Sequence, residues 1–325
     1  MNTKILTIAV AAYNMEKYLP RCIDSLLASS NCQDIEVLII NDGSKDSTLS
    51  IALAYQKKYP DTVRVIDKEN GGYGSAINVA IDLAQGKYFK TLDADDWFDS
   101  QVFDQYISKL RSLNVDLILT NYSREVESTN KSYLNCFNGI EYEKTYDFSS
   151  FCIFDKIGEP GLPMHAITYR TEILLLNDFR LSECYYSDVD YSVYPLVSVK
   201  KLIFLDLVLY KYLVGREGQS ISTEGLIKHL DDFIFVCKRL VKYYTDNYKD
   251  NNSVMGLNIG YNAGNLTTIL ISIILGTLYP SDKVKSTLII REFMSFLREN
   301  DEDIQEIARE RVYYWGKMQH KKSLV

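Results

Sequence analysis

The chain has 325 residues, of which 46% are hydrophobic and 24% charged, a composition typical of a folded soluble protein with one large or two modest domains. Its net charge of -7 at pH 7 argues against a general electrostatic grip on nucleic acid, which needs clustered lysine and arginine side chains. Its six cysteines are scattered without Cys-x-x-Cys spacing, so they indicate neither a zinc site nor a disulfide framework and fit a reducing cytoplasm.

Short apolar runs alternate with amphipathic runs along the first hundred residues. The run at 5–12 predicts a first strand rather than a secretion signal, because no convincing cleavage site follows it. Further strands are predicted at 35–40, 63–66 and 88–92, each preceded by a helical pattern. Polar residues collect where these strands end, so we expect a parallel α/β sheet with a ligand crevice at the carboxyl ends of its strands.

The fourth apolar run ends abruptly in carboxylates at Asp93, Asp95 and Asp96. Carboxylates delivered by a buried strand suit a magnesium or manganese ion, whose remaining ligands are often waters and substrate phosphates. This pattern predicts a nucleotide diphosphate as ligand, with Asp42 and Asp95 facing the same cleft. The alternative is an ordinary helix start, because Asp99 and Ser100 precede an amphipathic run.

Five short blocks, in this order, resemble the successive motifs of glycosyltransferase family 2. They are Thr7–Asn14, Asn41–Ser44, Asn70–Gly72 with Ala76 and Asn78, Gly86–Tyr88 and Leu92–Asp96. The resemblance implies the type A glycosyltransferase fold, a Rossmann-like, mostly parallel mixed sheet. It also implies a nucleotide-sugar donor, most often UDP-linked, and Mn²⁺ or Mg²⁺ as cofactor.

The resemblance assigns roles to particular positions. Tyr13 would stack near the uracil, Asp42 would hydrogen-bond it, Asp93 would contact the ribose or a metal-bound water, and Asp95 would bind the metal. The other implied nucleotide-sugar-binding positions are Ala11, where the family often has proline, Asn14, Asn70, Gly72, Asn78 and Ala94. The alternative is that Tyr13 packs at a strand end and Asp42 only shapes its own turn.

A second set of acids lies at 183–190. Asp188 aligns with the family's general base, although Ser187 replaces the usual glutamate, and would deprotonate an acceptor hydroxyl in an inverting displacement. The alternative is that Asp188 caps a helix, and Asp190 and Glu183 are reserve candidates. Upstream, His165 could line the site, but the sequence favours a core histidine with satisfied hydrogen bonds.

The family often has a basic residue where this chain has Tyr73 or Ile77, so a phosphate-binding cation must come from elsewhere. The segment 214–222, after a predicted strand at 203–212, resembles a loop that closes over the diphosphate in related polysaccharide transferases. Arg216 is therefore the candidate cation, because its planar guanidinium matches phosphate oxygens. The alternative is a surface turn.

The remaining segments carry weaker signals. Residues 123–150 are polar and predict an irregular insertion near the acceptor site. Helical patterns dominate from 227 onward, and 251–281 carries no charged side chain. Its most apolar part, 266–278, is too short to span a bilayer and predicts a buried helix; an interfacial helix touching a lipid-linked acceptor is the alternative.

Together these features predict a catalytic domain at 1–225, with nucleotide-sugar binding at 1–98 and the acceptor side at 99–225, followed by a helical domain at 226–325. The predicted activity is hexosyl or N-acetylhexosaminyl transfer to a saccharide or lipid-linked saccharide in bacterial surface polysaccharide or glycoconjugate synthesis. The enzyme would be cytoplasmic, with peripheral contact at the inner face of the membrane. The sequence leaves open whether it forms a homo-oligomer. A non-catalytic nucleotide-sugar-binding scaffold and a sugar nucleotidyltransferase remain alternatives.

Overall fold

The computed structural model describes residues 4–153, 162–176, 179–251 and 253–322. These residues form two compact units. The first contains the described residues up to Phe151 and from Leu162 to Arg216, and the second contains Cys152, Ile153 and the described residues from Glu217 onward.

The first unit is built on one mixed, mostly parallel sheet. Its strands are β1 (Leu6–Ala12), β2 (Ile35–Asp42), β3 (Val63–Lys68), β4 (Tyr88–Thr91), β5 (Trp97–Phe98), β6 (Leu117–Val126), β7 (Lys131–Asn135), β8 (Thr145–Asp147), β9 (Ile167–Arg170) and β10 (Lys201–Val214). The strand order is β3-β2-β1-β4-β9-β6-β10-β5, with β7 paired to β6 and β8 to β10. This confirms the predicted fold class.

Helices connect the strands of this sheet. They are α1 (Leu19–Leu27), α2 (Thr48–Lys58), α3 (Gly72–Leu83), α4 (Ser100–Ser112), α5 (Thr171–Leu175) and α6 (Asp188–Val193). The first four strands pair in parallel, and every residue of β2 is buried, as expected for a strand covered on both faces. Their parallel direction places Asn14, Asp42 and Asp93 at one edge of the sheet.

The expected irregular insertion at 123–150 was wrong in part. Strand β6 continues to Val126, and Lys131–Asn135 folds back on it as antiparallel β7. Strand β8 then pairs with β10. The polar composition misled the prediction because β7 is an exposed edge strand, whose side chains need not be apolar.

The second unit is helical from α7 (Thr223–Lys228) through α8 (Leu230–Asn247), α9 (Val254–Ile273), α10 (Lys283–Asn300) and α11 (Glu302–Lys322). Helix α9 runs into a π-helical turn at Ile274–Leu278. The segment Val254–Leu278 is long and apolar enough to cross a membrane by length and composition, and half of its most apolar window is buried inside the protein. This helical segment is longer than the apolar stretch 266–278 that the sequence indicated.

The buried carboxylate of Glu36 bonds to residues on β1, on β3 and in the segment before β4. Glu36, on β2, is 2% exposed and accepts hydrogen bonds from the Thr7 hydroxyl at 2.8 Å and the Gln85 backbone N–H at 2.9 Å. It also pairs with Arg64 at 2.5 Å. This network explains why a single acidic residue interrupts an otherwise apolar strand.

We expect Glu36→Ala to lower the free energy of unfolding by about 3 kcal/mol, because it leaves buried donors without an acceptor. Arg64→Ala leaves the Glu36 carboxylate its hydrogen bonds from Thr7 and Gln85, and the Arg64 side chain is 35% exposed, so this substitution should cost less than Glu36→Ala. Urea unfolding of the two variants measures the difference. Equal losses would contradict a special role for the buried carboxylate.

Candidate active site

A tyrosine on strand β10 holds the acidic turn that follows β4. The Tyr210 hydroxyl, on β10, donates to Asp96 Oδ2 at 2.6 Å, and its oxygen accepts the Asp93 backbone N–H at 3.1 Å. The backbone N–H of Leu213 donates to Asp96 Oδ1 at 2.7 Å. Asp96 is fully buried, so this carboxylate fixes the turn against β10 rather than lying free in solvent.

Asp93, Asp96 and His165 form a cluster whose potential ligand atoms lie within 4.8 Å of one another. Among the described residues, Asp93 Oδ1 and His165 Nδ1 are buried atoms without a hydrogen-bond partner. Buried polar atoms normally have partners, so orphaned atoms on two residues of this cluster indicate a place for a ligand. The expectation of a satisfied core histidine was therefore wrong.

The electrostatics of this cluster suit a cation. Burial, followed by the charges of Asp95 and Asp188, raises the pKa of Asp93 to about 8. Burial also lowers the pKa of His165 to about 3, which keeps its imidazole neutral and able to coordinate a metal. A divalent ion would relieve the repulsion between the carboxylates. Oxygen donors plus one imidazole form a donor set compatible with manganese.

Asp95 has a different environment from its neighbours. Its carboxylate forms an ion pair with Arg216, and its backbone carbonyl accepts a hydrogen bond from Arg21 at 2.7 Å. The Arg216 guanidinium also lies 5.6 Å from the centre of the Tyr18 ring, and Arg21 stacks on Trp97 at 3.7 Å. The structure thus brings the predicted phosphate cation to the predicted metal ligand.

Asp42 anchors the neighbouring glycine-rich loop. Its carboxylate accepts hydrogen bonds from the backbone N–H groups of Gly71 at 2.9 Å and Gly72 at 2.8 Å, and it pairs with Lys68 at 2.7 Å. Asn70 donates to the Asp42 carbonyl at 2.8 Å. Asp42 therefore shapes this loop, and Lys68 brings to it a cation that sequence reasoning missed.

The other predicted nucleotide-binding positions surround the same strand ends. Tyr13, which directly follows β1, is 46% exposed. Asn14 adopts a φ of 54° and accepts the Lys45 backbone N–H at 2.8 Å, which links the β1 and β2 loops. Ala11 is partly buried and Ala94 is buried.

Asn78, by contrast, turns toward the acceptor side. Its amide oxygen accepts the Leu181 backbone N–H at 2.9 Å, and its amide nitrogen donates to the Leu181 carbonyl at 3.0 Å. The bonds hold α3 to the segment that leads to Asp188. Its predicted contact with a nucleotide sugar stays a prediction.

Helix α3 approaches the Asp188 segment closely at a glycine. A Cβ at Gly74 would lie 1.9 Å from the carbonyl oxygen of Ser182, so no other residue fits without displacing backbone. Asp188 is the first residue of α6, and its side chain is not the helix cap. Burial, followed by the charge of Asp190, raises the pKa of Asp188 to about 6.

The reserve acids differ from Asp188 in environment. Asp190 is fully buried and accepts the Ser182 backbone N–H at 2.7 Å, while Glu183 is exposed. The sequence left open that the acids after β4 only start a helix. In the structure Asp99 starts that helix: it accepts the Val102 N–H at 3.2 Å and caps α4. That cap leaves Asp93, Asp95 and Asp96 for other roles.

The model of the family "Glycosyl transferase family 2" matches residues 7–174, just over half of the chain. The chain belongs to this family. A similar relative is the glycosyltransferase GlyA of Streptococcus pneumoniae, which is 30% identical over 224 residues, covering 66% of this chain and 31% of GlyA. The match covers 38% and 31% of the length of two such curated relatives, so this chain spans about a third of each.

Solved glycosyltransferase structures share the fold. The structure of S. aureus TarS 1-349 in complex with UDP matches with a TM-score of 0.63 at 18% identity, covering 94% of this chain and 87% of that chain. The mannosyltransferase PcManGT of Pyrobaculum calidifontis, in complex with GDP-Man and Mn²⁺, matches with a TM-score of 0.54 at 13% identity, covering 95% and 84%. At these identities the likeness concerns the fold.

We expect Gly74→Ala to lower the free energy of unfolding by about 1–3 kcal/mol, because the added methyl group must displace the Ser182 backbone. Gly316→Ala is the matched control, because a Cβ there meets nothing within 4 Å, and alanine should leave helix α11 as stable or slightly more stable. Urea unfolding measures both. A loss at Gly316 equal to that at Gly74 would refute the packing argument.

Proposed function

We propose that this member of glycosyltransferase family 2 is an inverting, metal-dependent enzyme that moves a sugar from a UDP-linked donor to an acceptor hydroxyl. The observation that carries the proposal is the cluster of Asp93, Asp96 and His165, in which Asp93 Oδ1 and His165 Nδ1 are buried without a hydrogen-bond partner among the described residues. The UDP bound by TarS and the Mn²⁺ bound by PcManGT support the choice of donor and cofactor.

In this proposal Asp93 is the central metal ligand. Asp96 and His165 complete the protein's share of the donor set, and Mn²⁺ suits the imidazole better than Mg²⁺. When bound, the cation neutralises charge that develops on the leaving diphosphate. Asp95, which the sequence predicted as a ligand, holds Arg216 and would join the donor set only after that ion pair opens.

The nucleotide would lie along the carboxyl ends of β1, β2 and β4. Tyr13 offers an exposed ring for the base, and Asp42 with its Lys68 partner offers an acceptor and a donor beside it. The Arg216 guanidinium would leave its ion pair with Asp95 and bind the diphosphate, whose oxygens match its planar donors. Arg216 thereby supplies the cation that is missing at Tyr73 and Ile77.

Asp188 would act as the general base. Its charge contributes to the raised pKa of Asp93, so the two carboxyl groups lie close enough to interact. An acceptor hydroxyl between Asp188 and the donor would lose its proton to the carboxylate as its oxygen attacks the anomeric carbon. Attack from the face opposite the leaving diphosphate inverts the anomeric configuration.

The donor sugar would be a hexose or N-acetylhexosamine, and the acceptor a saccharide or lipid-linked saccharide of a bacterial surface polymer or glycoconjugate. We place the enzyme in the cytoplasm, with the helical unit as the region for contact with the inner face of the membrane. The family resemblance supports these assignments, and half of the apolar window in Val254–Leu278 is left unburied and able to contact lipid.

Nucleotide release from UDP-, GDP- and dTDP-sugars with Mn²⁺ or Mg²⁺ tests this function. We expect slow UDP release that requires metal and falls at least a hundredfold in Asp93→Asn, because the central ligand is lost. Asp188→Asn should bind the donor but lose acceptor-dependent turnover. Donor binding without turnover, even with saccharide and lipid-linked acceptors, would favour a scaffold, and pyrophosphate release would indicate a nucleotidyltransferase.

The pH dependence tests the base. Asp188 must be ionised to accept a proton, so kcat/KM should rise tenfold per pH unit below about 6 and level off above it. A bound cation nearby favours the ionised form and would move the inflection lower. Initial rates between pH 4.5 and 8 at saturating Mn²⁺ measure the profile, because metal-bound Asp93 then stays ionised and only Asp188 titrates. A flat profile across this range would contradict the assignment.

A further inference from the structure

Lys90 is a fully buried lysine in the centre of β4, three residues before Asp93. Its Nζ donates to the backbone carbonyls of His165 at 2.8 Å and Ile167 at 3.0 Å. Burial lowers its pKa to about 7, with no carboxylate of the described residues compensating it. Burying such a group is costly, so its position needs an explanation.

The two carbonyls lie where the ladder between β4 and β9 ends. These strands pair only at Tyr88 with Arg170 and at Phe89 with Tyr169. Beyond Phe89 the Lys90 side chain takes the place of the backbone ladder and joins β4 to the chain at 165–167. Two N–H donors match two carbonyls, so the arrangement is satisfied even when the amine is uncharged.

The two carbonyls belong to His165, in the turn before β9, and to Ile167, the first residue of β9. The imidazole is stacked between the rings of Tyr122 at 5.3 Å and Tyr212 at 4.3 Å, with Tyr210 edge-on at 4.8 Å. Stacked rings restrict the tilt of the imidazole but allow sliding in their plane. The hydrogen bond from Lys90 to the His165 carbonyl acts on the backbone from which the imidazole extends toward Asp93 and Asp96.

We propose that Lys90 is a positioning residue that holds the His165 turn so that the imidazole and the Asp93 and Asp96 carboxylates form one metal site. This inference rests on the metal site of the proposed function. It assigns Lys90 no contact with the metal or the substrate. Outer groups that orient metal ligands typically change affinity by about 10- to 100-fold when removed.

Lys90→Met tests the inference, because methionine fills the buried space without the hydrogen bonds. We expect about tenfold weaker binding of MnCl₂ alone, measured by the EPR signal of free Mn²⁺. Lys90→Gln, which keeps N–H donors on a shorter side chain, should be intermediate and serves if the methionine variant does not fold. Tyr106→Phe is the matched control, because it removes a buried 2.7 Å hydrogen bond to Thr168 on the same strand, β9.

A double-mutant cycle separates positioning from general stability. In a His165→Ala background, Lys90→Met should cause no further loss of Mn²⁺ affinity, because the two residues act through one ligand. Additive losses, or unchanged Mn²⁺ affinity in Lys90→Met, would overturn the inference while leaving the metal site intact. Failure of the wild type to bind Mn²⁺, or an unchanged affinity in His165→Ala, would instead contradict the proposed metal site and overturn the inference with it.

Discussion

Repulsion between carboxylates confined at the end of one buried strand is the constraint on which this site depends. Asp93, Asp95 and Asp96 lie within four consecutive positions, and burial together with their mutual charge raises the pKa of Asp93 and Asp96 well above that of an ordinary aspartate. Each of the three acids has different partners in the fold. Tyr210 and Leu213 hydrogen-bond Asp96, Arg216 pairs with Asp95, and the Oδ1 atom of Asp93 is buried without a hydrogen-bond partner in the described part of the chain.

The contacts that satisfy these acids come from distant parts of the chain. Tyr210, Leu213 and Arg216 belong to β10 and its end, and His165 belongs to the turn before β9. Strand β9 lies between β4 and β6 in the sheet, although it follows both in sequence. The mixed part of the sheet thus brings the ligands and counter-ions to acids presented by its parallel part.

The parallel part could be predicted from sequence because each of its signals is local. The apolar runs of β1, β2 and β4 end in polar residues, and the parallel direction follows from the alternation of strands with helices. The acids at 93–96 and the base candidate Asp188 follow from short motifs for the same reason. The order of these motifs identified the family before the fold was known.

The long-range contacts left no comparable signal. A lysine in an apolar strand gives no indication that its amine reaches carbonyls 75 or more residues away, and nothing in the Asp42 motif specifies Lys68 as its partner. The sequence favours a core position for His165, because an isolated histidine in an apolar segment usually has its hydrogen bonds satisfied in the core. Only the position of β9 beside β4 brings its imidazole to Asp93.

The most direct test of this account is the position of manganese in a crystal grown with Mn²⁺ and UDP, located by anomalous scattering at the manganese edge. The account predicts one manganese peak within about 2.3 Å of an Asp93 oxygen, beside His165, in contact with the diphosphate. A manganese bound away from Asp93, or UDP bound at the ends of β1 and β2 with no manganese near these acids, would contradict it.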